Sequence, residues 1–157
     1  MHIIRLRGPW RLEAVERFVL QPDGTYRTTS ADLPSAARVT MPADWAESLG
    51  NDFLGRVRYL RTFQKPTGLE PGERVFLVVE PPRSRGALTL SGQPLGEIHW
   101  GGRRVRFDIT AKLEDHNRLE IVVEHPSLDA AGTPIDDSGT DSPGGLVGEV
   151  RLEIEEI

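Results

Sequence analysis

Sugars are held by flat aromatic rings that stack on the apolar face of a pyranose and by Arg, amide or carboxylate groups that bind its hydroxyls. The segment Glu97-Ile98-His99-Trp100-Gly101-Gly102-Arg103-Arg104 gathers such residue types in one turn. No apolar pattern surrounds Trp100, and exposed aromatics on loops are candidate binding groups. The alternative for Trp100 is that it folds back and caps the edge of the fold. Trp10, after Gly8-Pro9, and Trp45, beside Met41 and Leu49, are expected in the core.

Other chemistry finds little support. No Gly-x-Ser-x-Gly, Gly-x-x-x-x-Gly-Lys or His-Glu-x-x-His motif is present, and His2, His99, His116 and His125 lack paired metal-ligand spacing. Gly101-Gly102 before Arg103-Arg104 lacks the following helix that a phosphate cradle requires, so it reads as a turn. The absence of cysteine excludes a disulfide framework and a thiolate nucleophile. Asp129, Asp136, Asp137 and Asp141 share one loop, and clustered carboxylates are what Ca²⁺ takes. With Asp137 as position one of a twelve-residue calcium loop, however, Ser142 falls where Gly is required and Gly148 where Glu is required. No cofactor is therefore expected, calcium being the alternative. Asp136 and Asp137 are kept as second candidates for sugar binding.

The elements that position these residues are short. Gly and Pro number 16 and 12 in 157 residues, a turn-rich composition. That length suits one domain, 1–157, and is too short for a (β/α)₈ barrel of about 250 residues. Apolar runs bounded by turn residues predict strands at Ile3–Arg7, Arg17–Leu20, Gly55–Phe63, Arg74–Glu80, Ala87–Ser91, Val105–Ile109, Arg118–Glu124 and Glu149–Ile154. Val150, Leu152 and Ile154 alternate with Arg151, Glu153 and Glu155, as in a sheet wet on one side. The continuous run Val75–Val79 predicts a central strand covered on both faces. Leu12, Val15 and Phe18 fall at helical spacing, so a helix within Trp10–Leu20 is the main alternative for the N-terminal part. A short helix near 44–50 is expected, with Asp44 and Glu47 as a capping box and Gly50 as its stop. Residues 126–145 are 16 of 20 Pro, Gly, Ser, Thr or Asp, a loop long enough to be either functional or disordered.

A net charge of −5 argues against nucleic acid or an anionic membrane as partner. No apolar run reaches signal-peptide or membrane-span length, so a soluble, cytoplasmic protein is expected.

The order of segments resembles a known family. Met41-Pro42-Ala43-Asp44-Trp45, Val57–Phe63 and Arg74–Glu80 are similar to the N-terminal sugar-binding domain of family 2 glycoside hydrolases, the β-galactosidase and β-glucuronidase group. Ala87–Glu97, Val105-Arg106-Phe107-Asp108-Ile109-Thr110, Asn117–Val123 and Gly144–Leu152 continue the match, which is clearest over 40–154. The resemblance implies an all-β, jelly-roll sandwich of the galactose-binding-like type, with eight or nine strands and one short helix. Ser91-Gly92 stands where the family has Asn-Gly and still supplies a hairpin turn; Asp108 and Thr110 are expected to end a strand, and Asn117 to suit an αL turn. The family's Glu-His-x-Gly-Gly is shifted by one residue in Glu97–Gly102, so no role passes to His99 from the family. The family's catalytic carboxylates lie in a later barrel domain, and glycoside hydrolysis needs two carboxylates at a set separation. The chain ends at Ile157, where the next domain would begin, and so no stand-alone enzyme is expected. The function expected is a non-catalytic carbohydrate-binding module using His99, Trp100, Arg103, Arg104, Asp136 and Asp137. The alternative is a structural or interaction domain, or a docking subunit for a separately encoded glycosidase; the partner is then another protein chain.

Overall fold

In the computed structural model, which describes residues 1–135, 139–140 and 142–157, the expected all-β sandwich is found. Its strands are β1 (His2–Arg5), β2 (Trp10–Leu20), β3 (Tyr26–Thr29), β4 (Ala37–Val39), β5 (Ala43–Asp44), β6 (Gly55–Gln64) and β7 (Glu73–Val79). They continue as β8 (Arg85–Leu90), β9 (Gln93–His99), β10 (Val105–Asp108), β11 (His116–His125), β12 (Gly145–Leu146) and β13 (Val150–Glu156). A small sheet runs β1-β13-β7-β10, a large one β3-β2-β6-β11-β8-β9 with β4 also on β2, and β12 pairs β5. All pairings are antiparallel. Five strands exceed the eight expected: β3, β4, β5, β9 and β12. Four of these are only two to four residues long, and β9 contains Pro94 and Gly96, which hide a strand signal.

The core lies between the sheets. Trp10, Leu12, Val57 and Tyr59 of the large sheet meet Val75, Leu77, Val79, Val150 and Leu152 of the small one, all buried. Trp10–Leu20 is strand throughout, not helix. Trp10, Leu12 and Ala14 alternate inward, but a bulge between Ala14 and Glu16 inserts one residue and inverts the phase. Glu16 then pairs with Arg56 on the outer face, and the Arg56 guanidinium lies 5.8 Å from the Phe18 ring centroid. Leu12 is thus buried in the core and Phe18 under Arg56 on the opposite face, so their helical spacing marks no common face.

The outer face of the small sheet is not wet. Arg151 and Glu153 are buried, and Arg106 and Arg151 stand in one cross-strand row over Val78. Arg106 also lies 3.5 Å from the Phe76 ring centroid, so arginine stems roof this face as the expected covering layer of Val75–Val79. Glu153 accepts from Arg151 Nε at 2.8 Å and Arg106 Nε at 3.3 Å. Burial opposes its ionisation, but these bonds outweigh that and hold its carboxyl below the usual range. A group lowered on folding adds stability above its ordinary value near 4.5, and that stability disappears as pH falls through the lowered value. Urea midpoints measured from pH 7 to pH 3 are therefore expected to fall steeply below about pH 4.5 and to flatten in Glu153→Gln. Parallel profiles would show that this cluster does not set the acid limb. Glu13 and Asp108, held low by Arg58 and by Thr110 respectively, leave a residual slope.

The helix α1 (Ala46–Leu49) is one turn long. Asp44 Oδ1 accepts from Ala46 N at 3.0 Å and Gly50 closes the turn at φ +98°, but Glu47 makes no return bond. Ser91 and Gly92, at φ +48° and +85°, form the two-residue hairpin turn that joins β8 to β9. Asp108 Oδ1 accepts from Thr110 N and Oγ1, ending β10 as expected. Asn117 departs from expectation: it is buried inside β11, and its side chain closes the preceding turn through Glu114 N and O, both at 2.9 Å. Among the described residues no helix is long and apolar enough to cross a membrane.

Candidate functional site

The β8–β9 hairpin carries the candidate turn. Pairing of Arg85 with His99 sets Trp100 beside Ser84, and Trp100 N donates to Ser84 O at 2.6 Å. Gly101 adopts φ +78° and Gly102 N returns to His99 O, so Trp100 to Gly102 is a tight turn leading through Arg103 and Arg104 into β10. Trp100 is 39% exposed and does not fold into the core.

Arg83, which sequence reasoning passed over, is the residue that organises this end. Its guanidinium lies 4.9 Å from the Trp100 ring centroid, while its backbone N donates to Gly145 O at 3.1 Å. One residue thereby links the two, its side chain touching Trp100 and its backbone the end of the loop that leads into β12. Among seventeen arginines nothing in the sequence marks this one except its place after Pro81-Pro82. Arg104 lies 4.0 Å from Glu80, and Glu80 is 3.4 Å from Arg151. Arg103 has no ion pair among the described residues. His99 is exposed, its Nε2 3.9 Å from Glu97, which is exposed too. The structure thus brings Trp100 and Arg104 toward Arg83, Glu80 and Gly145. Asp136 and Asp137 lie outside the described residues.

Beneath the turn Ser84 and His125 are fully buried, with Ser84 Oγ 2.5 Å from His125 Nδ1. His125 Nε2 lies 2.9 Å from Ser142 O. A carbonyl only accepts, so Nε2 carries the proton and, in the neutral ring, Nδ1 accepts from the Ser84 hydroxyl. A Ser–His pair is the arrangement of an activated nucleophile, but a substrate has no access to this hydroxyl. The pair instead anchors Ser142, and with it the closing loop. Trp45 N donates to Gly144 O, and β12 pairs Gly145 with Asp44, which continues the anchoring.

The expected long loop is divided. Its first part is a compact hairpin: Asp129 N donates to Thr133 O, Ile135 N to Ser127 O, and Tyr26 N to Gly132 O at 2.8 Å. Asp129 Oδ1 accepts from Ala131 N and Thr133 N, which uses this carboxylate for its own turn. Asp141, with Asp136 and Asp137, is outside the described residues. Among the described residues no group of three or more His, Asp or Glu is placed to hold a metal ion.

No protein-family profile and no curated protein matches the chain. Solved structures do. An FMN-binding β-glucuronidase from Faecalibacterium prausnitzii L2-6 is 28% identical with TM-score 0.69, over 98% of this chain and 22% of that one. A Bifidobacterium dentium β-glucuronidase complexed with coumarin-3-O-glucuronide is 20% identical with TM-score 0.67, over 96% and 29%. A β-glucuronidase from glycoside hydrolase family 2 is 16% identical with TM-score 0.63, over 98% and 18%. The chain therefore spans less than a third of each of these enzymes, and its described residues form a sandwich with no catalytic barrel. Along nearly its whole length the chain is similar to a domain-sized part of the family 2 glycoside hydrolases, the family whose sugar-binding domain its sequence resembles.

Proposed function

We propose that the chain is a non-catalytic carbohydrate-binding module in which Trp100 is the stacking platform. The observation that carries this is Trp100, 39% exposed rather than tucked into the core, with its ring held by Arg83, whose backbone is bonded to Gly145 of the closing loop. Arg103 and Arg104 supply donors for hydroxyls or a uronate carboxylate beside it. Similarity to β-glucuronidases, one of them solved with a glucuronide, favours glycosides as the ligand class. Asp136 and Asp137 remain candidates for the acceptor side of the same site.

Calorimetric titration with monosaccharides, oligosaccharides and simple glucuronides is expected to show one saturable site. Trp100→Ala should weaken it about tenfold or more, since an aromatic platform contributes on the order of 1–3 kcal/mol. Unchanged affinity in Trp100→Ala, with the fold intact by circular dichroism, would remove this site. A second reading is favoured by the share of the enzymes that the chain spans: a domain that docks on a separately encoded catalytic chain. No heat with any sugar, and co-elution with a family 2 catalytic chain lacking its own sandwich, would establish that reading instead.

A further inference from the structure

The small sheet ends in an edge that the fold leaves open. β1 pairs with β13 on one side, and among the described residues no strand lies on its other side. Leu6 N donates to Val150 O, and in an antiparallel ladder the hydrogen-bonded pairs recur at every second residue. His2, Ile4 and Leu6 therefore turn their backbone groups toward β13, while Ile3 and Arg5 turn theirs away from it. The next outward residue, Arg7, shows what this edge accepts, for Met41 N donates to Arg7 O. Beyond Met41 the outward groups of Arg5 and Ile3 have no partner among the described residues. Open edges are usually blunted, and β9 shows how, with Pro94 and a shift of register against β8. β1 has neither.

A groove of about 480 Å³ opens beside this edge. Ile4, Arg5, Leu6 and Leu152 line it from the small sheet, and Arg61 to Gln64 line it from β6. β6 is open on this side too, because β2 leaves it after the Arg11–Leu60 pair and β11 alone accompanies Arg61 to Gln64. Ile4 and Phe63 are only partly buried, so the apolar part of the wall is unfinished. Arg61 continues the inward phase of Val57 and Tyr59 and pairs with core Leu119 of β11. Its Nε is buried with no hydrogen-bond partner, a costly state for a charged donor. No carboxylate lines the groove to relieve it.

We propose that β1 takes an extended segment of another protein as an added strand. Alternate side chains of that segment point into the groove, an apolar one covering Ile4 and Phe63 and an acidic one meeting Arg61. Main-chain bonds to Ile3 and Arg5 give such an addition its affinity, and the groove gives it specificity. The carboxylate supplies the acceptor that Arg61 lacks, in a charge-assisted bond. Charge argues against a second copy as the occupant, since pairing β1 with itself brings His2 and Arg5 to the groove and no acid. The inference does not rest on sugar binding at Trp100.

Selection of displayed random peptides of about ten residues against the full chain tests this. The enriched sequences are expected to alternate apolar and acidic residues. A synthetic peptide of that sequence should slow amide hydrogen exchange at Ile3 and Arg5, which exchange fast in the free chain. Arg61→Gln should weaken the peptide about tenfold, and should barely affect a peptide whose acid is replaced by Gln. Ile3→Pro removes an outward N–H and leaves the bonds to β13 in place, so a folded Ile3→Pro chain should lose the peptide altogether. Trp100→Ala should leave binding unchanged. If Ile3→Pro fails to fold, the exchange pattern and Arg61→Gln decide the matter. No enrichment, protection confined to other amides, full affinity in Arg61→Gln or full affinity in a folded Ile3→Pro would each overturn the proposal. So would Ile3 and Arg5 amides that gain protection with protein concentration in the absence of peptide, which would place a second copy on this edge.

Discussion

Trp45→Ala is expected to lower the unfolding free energy by about 3–5 kcal/mol, the range for removing a buried large aromatic. Trp45 is fully buried, and its ring meets Phe53 edge-on with centroids 5.7 Å apart and His125 at 6.2 Å. Its Nε1 donates to Phe53 O at 3.1 Å, so truncation also strips a buried carbonyl of its donor. The ring is the wedge between α1, the Phe53 turn and the anchored end of the closing loop. Urea denaturation followed by far-UV circular dichroism measures the loss. Trp45→Phe should give up far less, because most of the ring stays and only the hydrogen bond is deleted. A loss under about 1 kcal/mol in the alanine variant would mean that the closing loop is held by other contacts.

The second large effect is expected at Gly145. This residue sits at φ +129°, a region closed to other residue types, so alanine is strained there by about 1–2 kcal/mol. Space is lacking as well. A Cβ would lie 2.7 Å from the Tyr59 hydroxyl oxygen, 2.8 Å from Asp44 Cα and 3.0 Å from Trp45 N. Two of these are backbone atoms, Asp44 paired with Gly145 and Trp45 bonded to Gly144 O, and neither can retreat without breaking those bonds. Crowding adds about 1–3 kcal/mol, for a total near 3 kcal/mol. Gly145 O also accepts from Arg83 N, so displacement of β12 should release Arg83 from Trp100 and move the tryptophan emission. Stability within about 0.5 kcal/mol of the parent would show that the loop can re-seat itself without β12.

The layer structure was legible wherever hydrophobic period and burial coincide. Val150, Leu152 and Ile154 could be read as an inward face because each alternates with a charged neighbour, and the structure buries all three. Ser91-Gly92 and Asp108-Thr110 were legible because turn chemistry is local and needs no knowledge of the rest of the chain. What escaped was non-local. Arg151 and Glu153 look exposed in sequence and are buried only because Arg106 and Glu80, distant in sequence, arrive on the same face. Asn117 was assigned to a turn for its side-chain chemistry, and it does close one, but from within a strand. At the candidate site Trp100 was visible as an aromatic in a turn. Arg83 and the Ser84–His125 pair were not, since their roles come from strand register and from the return of Ser142 after a long excursion.

The position of the last strand bears on how this chain reaches its native state. β13 lies between β1 and β7, with His2 facing Ile154 on one side and Val79 facing Val150 on the other. β1 therefore has no neighbour in this sheet until β13, far along the sequence, is in place. Until then the small sheet is two pieces, and the inner edges of β1 and β7 stand open. Such distant pairing is slow to form, and until β13 docks these edges are open to edge-to-edge association.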